Sequence, residues 1–446
     1  MVTLPRLNTV GGNNLIVTSA KTPSSLRYTG YILPVIKAVA KLSIGLYFTH
    51  AWKQRKLSSL VDFANGINAP KEQYGKGRKM ISVMDILSAS PIKYYNIKNA
   101  VAVDKNTEQN YRVEFGDLVF VRSSEVVNEV GWAKAYSDND YALFSGFTIR
   151  GKKKEIFDSY FVELALNYKN RMQIESKAGG STRFNVGQTI LSNLSFKQPS
   201  VLEQTAIGNF FRTLDDTITL HKRKLDIIKS LKKAYLQKMF PLAGESVPKV
   251  RFAGSTEPWA QRKLGEVAEC SKGNGYSKRD IVAQGTPIIL YGMLYTNYKT
   301  VIDNIDTFAE PKGFSVLSKG GEVIVPSSGE NAEDISRASV VEKAGVILGG
   351  DLNIVKPASI VDSIFLAITI SNGNQRKELS KRAQGKSVVH IGNSDLKEVV
   401  LNLPSIKEQI AIGSFFCIID DQIAIQQQKI EQLKQLKRAY LQRIFL

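Results

Sequence analysis

PSVLEQTAIGNFFRTLDDTITLHKRKLDIIKSLKKAYLQKMF, residues 199–240, aligns without a gap against PSIKEQIAIGSFFCIIDDQIAIQQQKIEQLKQLKRAYLQRIF, residues 404–445. Of the 42 positions, 21 are identical, and the copies lie 205 residues apart, so the chain is an internal duplication. A shorter echo precedes each copy: Trp52, Gln54, Arg55, Lys56 and Leu57 return as Trp259, Gln261, Arg262, Lys263 and Leu264. The order is variable block, long motif, variable block, long motif.

Each long motif reads as a helix. Ser200 with Glu203, and Ser405 with Glu408, have the spacing of a capping box, with Pro199 and Pro404 just outside. Spacings of three and four then pick out Phe211, Leu214, Ile218, Leu225, Ile228 and Tyr235. In the second copy they pick out Phe416, Ile419, Ile423, Ile430, Leu433 and Tyr440. Polar residues interrupt both stripes at matching places, His221 and Lys232 against Gln426 and Lys437, as in a coiled-coil seam that fixes register and partner. Gly208 and Gly413 are candidate weak points, and the doublets Asp215–Asp216 and Asp420–Asp421 are expected to face solvent or a partner.

The blocks at 58–198 and 265–403 are of another kind. Short apolar runs such as DLVFV (117–121), LFSGFTI (143–149), TPIIL (286–290) and EVIVPSS (322–328) are separated by Gly, Asn and Ser turns, which predicts mixed α/β domains. The blocks share punctuation more than sequence. FGDLVFVRSS (115–124) answers GGEVIVPSS (320–328), and AGGSTRFNV (178–186) answers AQGKSVVHI (383–391). A common frame carrying different surfaces suits two readers of two targets.

The 446 residues carry 60 Lys and Arg against 41 Asp and Glu, a formal charge of +19 spread along the chain, which favours a polyanion such as DNA or RNA. Two cysteines, Cys270 and Cys417, and three histidines leave no disulfide framework and no clustered zinc spacing, and suit a reducing cytosol. Residues 1–50 hold five basic residues and no acid. Their apolar run from Tyr31 to Phe48 is interrupted by Pro34, Lys37 and Lys41, which argues against a membrane span. Ile32 to Phe48 reads as an insertion before Trp52.

The doubled PSxxEQxAIGxFF element with its Asp doublet and AYLQ ending, the paired WxQRKL entries, the VPKVRF approach and the GTPIILYG strand together resemble the specificity subunit of type I restriction-modification enzymes, over residues 51–446. The resemblance implies an α+β architecture with a pseudo-two-fold internal repeat: two mixed α/β target-recognition domains joined by two long antiparallel helices forming a coiled coil. The expected boundaries are an atypical, poorly ordered leader at 1–50, recognition domains at 51–198 and 258–403, helical regions at 199–242 and 404–446, and a linker at 243–257. The resemblance also implies double-stranded DNA as ligand, recognition of a bipartite asymmetric site, and a cytoplasmic location in a bacterium or archaeon. Two modification subunits would use S-adenosylmethionine to methylate adenine, and motor-nuclease restriction subunits would use ATP and Mg. No cofactor or metal is expected in this chain.

Chemistry of the chain's own is not visible. GKS at 385–387 lacks the Walker glycine, Ser380 standing in its place, GNG at 273–275 lacks the third glycine of a dinucleotide fingerprint, and no adenine-methyltransferase tetrapeptide occurs. Candidate DNA contacts are polar and basic groups at strand ends and loops: Arg122, Ser123, Ser124, Arg150, Lys152, Ser181, Arg183 and Asn185 in the first block. In the second they are Ser327, Ser328, Asn331, Arg337, Lys381, Arg382, Lys386 and His390. Each would be equally at home on a solvated surface, and Lys222, Arg223 and Lys224 form either a solubilising helix face or a DNA- or partner-facing one. A self-contained nuclease or methyltransferase lacks its motifs here, and a purely helical scaffold does not account for the charge or the two non-helical blocks.

The charge predicts that the DNA affinity of the assembled complex falls steeply between about 50 and 200 mM salt through counterion release. A flat affinity across that range in a filter-binding titration would contradict a phosphate-contacting role.

Overall fold

The computed structural model describes residues 51–296, 298–385 and 388–445, with the backbone of two short strands, Leu7–Thr9 and Leu15–Val17. The chain divides into two compact units, Ser25–His221 with Lys429–Leu446, and Met1–Ser24 with Lys222–Gln428. Each unit therefore holds one variable block, the beginning of the helix that follows it and the end of the other long helix.

Both repeated motifs are single helices, Val201–Lys238 and Ile406–Ile444. The capping boxes form only by half. Ser200 and Ser405 accept the N–H groups of Glu203 (3.3 Å) and Glu408 (3.4 Å). The glutamates look elsewhere: Glu203 accepts from Trp52 Nε1 at 3.1 Å, and Glu408 takes both arms of Arg251 at 3.0 and 2.7 Å.

The next motif residue ties each helix to its own block. Gln204 accepts the N–H of Asp158 (3.1 Å) and donates to the Pro199 carbonyl (3.0 Å). Gln409 likewise accepts from Asp362 (2.9 Å) and donates to Pro404 (2.9 Å) and Ile360 (3.0 Å). Asp158 and Asp362 are the N-caps of matching helices, Ser159–Asn167 and Ser363–Ser371. Gly208 and Gly413 are not weak points but places of close approach, because a Cβ there would lie 2.6 Å from Asp158 Oδ1 and 3.1 Å from Asp362 Oδ1. The helices run through them unbroken.

Further along, each helix meets the end of the other, and three sets of contacts are made twice with partners exchanged. In the first unit Phe210 packs edge-on against Tyr440 at 5.1 Å, and in the second Phe415 packs against Tyr235 at the same distance. Lys437 Nζ reaches Asp215 at 2.7 and 2.8 Å, while Lys232 reaches Asp420. Phe445 closes an aromatic triad with Trp52 (6.0 Å) and Phe161 (5.3 Å), and Phe240 closes one with Trp259 (5.9 Å) and Phe365 (5.8 Å). Because rising numbers on one helix meet falling numbers on the other, the helices pair antiparallel within each unit. Asp215 and Asp420 are thus seam residues, a correction to their expected solvent or partner role, while Asp216 and Asp421 are exposed. The predicted seam is inward throughout: Phe211, Leu214, Ile218, Phe416, Ile419, Ile430 and Leu433 are buried, and Leu225, Ile228, Tyr235, Ile423 and Tyr440 half-buried.

The WxQRKL echoes are strands. Lys53–Lys56 pairs antiparallel with Ser195–Gln198, and Ala260–Lys263 with Val400–Leu403, so each block begins and ends on one ribbon beside its helix start. Inside the first block the main sheet runs Val61–Asn65, Thr148–Lys153, Leu118–Val121, Ala133–Ala135. The second keeps that order with Ala268–Lys272, Leu352–Pro357, Glu322–Pro326 and Ser339–Val341, and adds Val301–Ile302 at the edge. The central strands are buried along their length, as expected for apolar runs covered on both faces. The leader, expected to be poorly ordered, contributes Leu7–Thr9 and Leu15–Val17 to a three-stranded sheet with Val250–Phe252. The apolar run and the insertion at 32–48 lie outside the described residues.

The two joints differ in chemistry. On the helix Ser159–Asn167, Tyr160 donates to Asp215 and Glu163 accepts the Ala135 N–H at 2.8 Å, whereas the matching helix has Ile364 and Ala367. Arg212 pairs with Asp158 at 2.7 Å, and Cys417 stands at its repeat position. Burial around the Glu163 carboxyl pushes its pKa up to about 7.

Two outcomes follow from these joints. Gln204→Ala removes two hydrogen bonds, one buried and one partly buried, and should cost about 1–3 kcal/mol, with hydrogen exchange accelerated in Ser159–Asn167 and unchanged in Ser363–Ser371. Equal acceleration in both helices would contradict this. Glu163 is neutral in the folded state up to about pH 7 but ionises in the unfolded chain from its ordinary value of 4.5, so it lowers stability as pH rises through that window. Glu163→Gln, which keeps an acceptor for Ala135, should gain on wild type between about pH 4.5 and 7 in thermal unfolding. A gap independent of pH would show that the carboxyl does not titrate there.

Candidate nucleic-acid interface

In both blocks the central strand leaves the sheet at one end and joins a two-stranded ribbon with a later loop. Beyond Leu118–Val121, Ser123 pairs with Asn185 and Ser124 with Phe184. Beyond Glu322–Pro326, Ser328 pairs with His390 and Gly329 with Val389. The loops are closed identically: Gly179 and Asn185 exchange backbone hydrogen bonds of 3.1 and 2.8 Å, as do Gln384 and His390. Gly180 (φ 120°) and Gly385 (φ 134°) turn these loops where a Cβ would lie 2.0 Å from the Arg183 carbonyl and 1.9 Å from that of Val388. This is why the AGGSTRFNV and AQGKSVVHI punctuation survives while the residues around it diverge.

The first ribbon gathers much of its predicted set. Arg122, Ser123 and Ser124 are half-buried, and Ser181, Arg183 and Asn185 are exposed. Arg122 donates to the Gly146 carbonyl at 3.3 Å, and Arg183 lies 3.6 Å from Glu125. The second gathers Ser328 and exposed His390, joined Oγ to Nδ1 at 3.0 Å. Lys381 and Arg382 end the helix Gly373–Arg382 that leads into this loop, Arg382 pairing with Glu378 at 2.9 Å. Lys386, with Ser387, lies outside the described residues.

Other candidates fall elsewhere. Arg150 is a correction. Expected as a DNA-facing group at a strand end or loop, Arg150 sits inside the strand Thr148–Lys153, 8% exposed, donating to the carbonyls of Arg112 and Asn110 with its guanidinium over the Phe144 ring. Burial also lowers its pKa. Ser327 is a second correction, being buried and bonded through its backbone to Asp351 and Ile391. Lys152 is exposed and stands 3.5 Å from Glu114. Asn331 caps the short helix Ala332–Ile335. Arg337 pairs with Asp334 and lines a cavity of ≈ 210 Å³ with Lys232, Tyr298, Arg376 and Phe416. Lys222, Arg223 and Lys224 are exposed.

Sequence reasoning passed over one element, the turn inside LFSGFTI. Read as a continuous strand, it is two short strands interrupted at Ser145–Phe147, the Ser-Gly pair being the available signal. Among the described residues, no group of three or more His, Cys, Asp or Glu could hold a metal ion, and no helix is long and apolar enough to cross a membrane.

A family model described as type I restriction modification DNA specificity domain matches residues 50–230 and again 256–435. Over 410 residues the chain is 22% identical to a putative type I restriction enzyme MjaX specificity subunit of Methanocaldococcus jannaschii, covering 87% of this chain and 91% of that one. It is 21% identical over 298 residues to the type I restriction enzyme MjaVIII specificity subunit of the same organism, covering 64% and 69%. Among solved structures it is similar to the type I restriction-modification S subunit from M. genitalium, with TM-score 0.57, 15% identity and coverage of 90% and 98%. A chain from a structure on complex assembly and conformational transition of the type I R-M system gives TM-score 0.51 at 16% identity, covering 89% and 97%. At these identities the structural likeness speaks for the fold.

Proposed function

Since the chain belongs to the type I restriction modification DNA specificity family, we propose that it reads a bipartite, asymmetric DNA site, one half with each block, and contributes recognition without catalysis of its own. One observation carries the reading: the two ribbons share a backbone frame and turn glycines, yet display Ser123, Arg183 and Asn185 in one and Ser328, Val388 and His390 in the other. Arg and Asn can fork onto base edges, and exposed Lys and Ser can hold phosphate. The recognition domains are residues 51–198 and 258–403, with helical regions at 199–242 and 404–446.

Two modification subunits bearing S-adenosylmethionine would methylate adenine in the site, and restriction subunits with ATP and Mg would act when it is unmethylated. The seam residues are occupied within the units, so partner subunits would meet the outer helix faces, where Leu220, Ile227, Ile418 and Ile425 are exposed. The half-sites should be centred about one helical turn apart, presenting the same groove face to both domains.

Replacing residues 58–198 by the corresponding block of another family member tests the reading, because the strand Lys53–Lys56 and the helix start stay intact while the incoming block supplies its own closing strand. Methylation mapping of the assembled complex should show one half-site changed and the other kept. A change in both halves would contradict modular recognition.

A further inference from the structure

The turn that interrupts LFSGFTI has a counterpart in the second block. Thr148 N–H donates to the Ser145 carbonyl at 2.9 Å, and Leu352 N–H to the Gly349 carbonyl at 3.3 Å, so Ser145-Gly146-Phe147-Thr148 matches Gly349-Gly350-Asp351-Leu352. The apex residue is docked against the reading ribbon by the same bond in each block: Arg122 N–H donates to the Phe147 carbonyl at 2.9 Å, and Ser327 N–H to the Asp351 carbonyl at 2.8 Å. Gly146 is pinned, since a Cβ there would lie 1.7 Å from Asn68 Oδ1.

The apex side chain is the one the scaffold leaves outside. Phe147 is 55% exposed while residues 142–146 and 148–151 are all buried; Asp351 is exposed next to buried 352–355. A large apolar ring held in water by a rigid turn has no packing role of its own. The Arg183 guanidinium, 5.8 Å from the ring centroid, belongs to the ribbon set. At the matching place the second block has a carboxylate, which is repelled by phosphate and is tolerated at a DNA face where it meets a donor.

We propose that this apex is a base-reading position in both domains: the Phe147 ring packs on a thymine methyl in one half-site, and the Asp351 carboxylate accepts from an exocyclic amino group, of cytosine or adenine, in the other. The inference rests on the DNA-reading function above. It accounts for asymmetry between half-sites at one structurally equivalent position, because a methyl and an amino group are distinguishable features of the major groove.

Selection of duplexes from a random pool by the full chain defines the site, and re-synthesis with uracil for each thymine then removes single methyl groups. At one thymine of one half-site, uracil should weaken wild-type binding about three- to tenfold and leave the Phe147→Ala chain unaffected, the exposed side chain being dispensable for folding. Asp351→Asn should relax preference at one base pair of the other half-site, and the base relaxed distinguishes cytosine from adenine. No uracil-sensitive thymine, or the same sensitivity in Phe147→Ala, would overturn the assignment for Phe147, and an unchanged selected site with Asp351→Asn would overturn it for Asp351. Failure of the wild-type chain to select any sequence would instead overturn the DNA-reading function itself.

Discussion

A lysine near the end of each long helix reaching an aspartate near the start of the other is the contact on which the repeat turns. Lys437 meets Asp215 and Lys232 meets Asp420. The side chains are 19–36% exposed, so the pairs are worth less than buried ones and do more to fix register than to hold the fold together. Beyond each pair, toward the start of one helix and the end of the other, the aromatic contacts Phe210 with Tyr440 and Phe415 with Tyr235 and then the Trp52 and Trp259 triads supply the apolar burial. In this way the Gln, Gly, Phe, Asp, Lys and Tyr of each motif and the final Phe meet equivalent groups in both units, whereas the glutamates differ, Glu203 meeting Trp52 and Glu408 meeting Arg251.

This constancy frees the blocks to diverge. Gln204 and Gln409 hold the same capped helix, and the ribbons end in the same glycine turns, yet the first joint is polar around Glu163, Tyr160 and Arg212 where the second has Ala367, Ile364 and Cys417. Identical geometry thus supports one joint whose stability depends on pH and one that lacks that carboxyl. The same division of labour appears at the ribbons, where backbone bonds are shared and side chains are not.

The helices and their seam were legible because the duplicated 42-residue motif repeats its apolar spacing, and a repeat retains what packing requires. That the copies exchange partners was not, since periodicity marks which residues face inward without saying what they face. Gly208 and Gly413 suggested weakness on propensity alone, whereas the close approach of Asp158 and Asp362 decides their identity. Arg150 differs for a related reason: a basic run has the composition of exposed strand ends and loops, and only the sheet pairing on both sides of Thr148–Lys153 puts its guanidinium among carbonyls. The second-block ribbon could be aligned from its punctuation, but Ser327 is buried by contacts distant in sequence.

If the two copies are interchangeable at the seam, a chain ending after Leu242 should pair with itself, Lys232 of one copy meeting Asp215 of the other and Phe240 entering the Trp52 triad. Sedimentation of that fragment at micromolar concentration measures this directly. A two-fold dimer, weakened by Asp215→Lys and restored by combining it with Lys232→Asp, is the expected result. A fragment that remains monomeric, or a dimer indifferent to Asp215→Lys, would contradict a self-complementary seam.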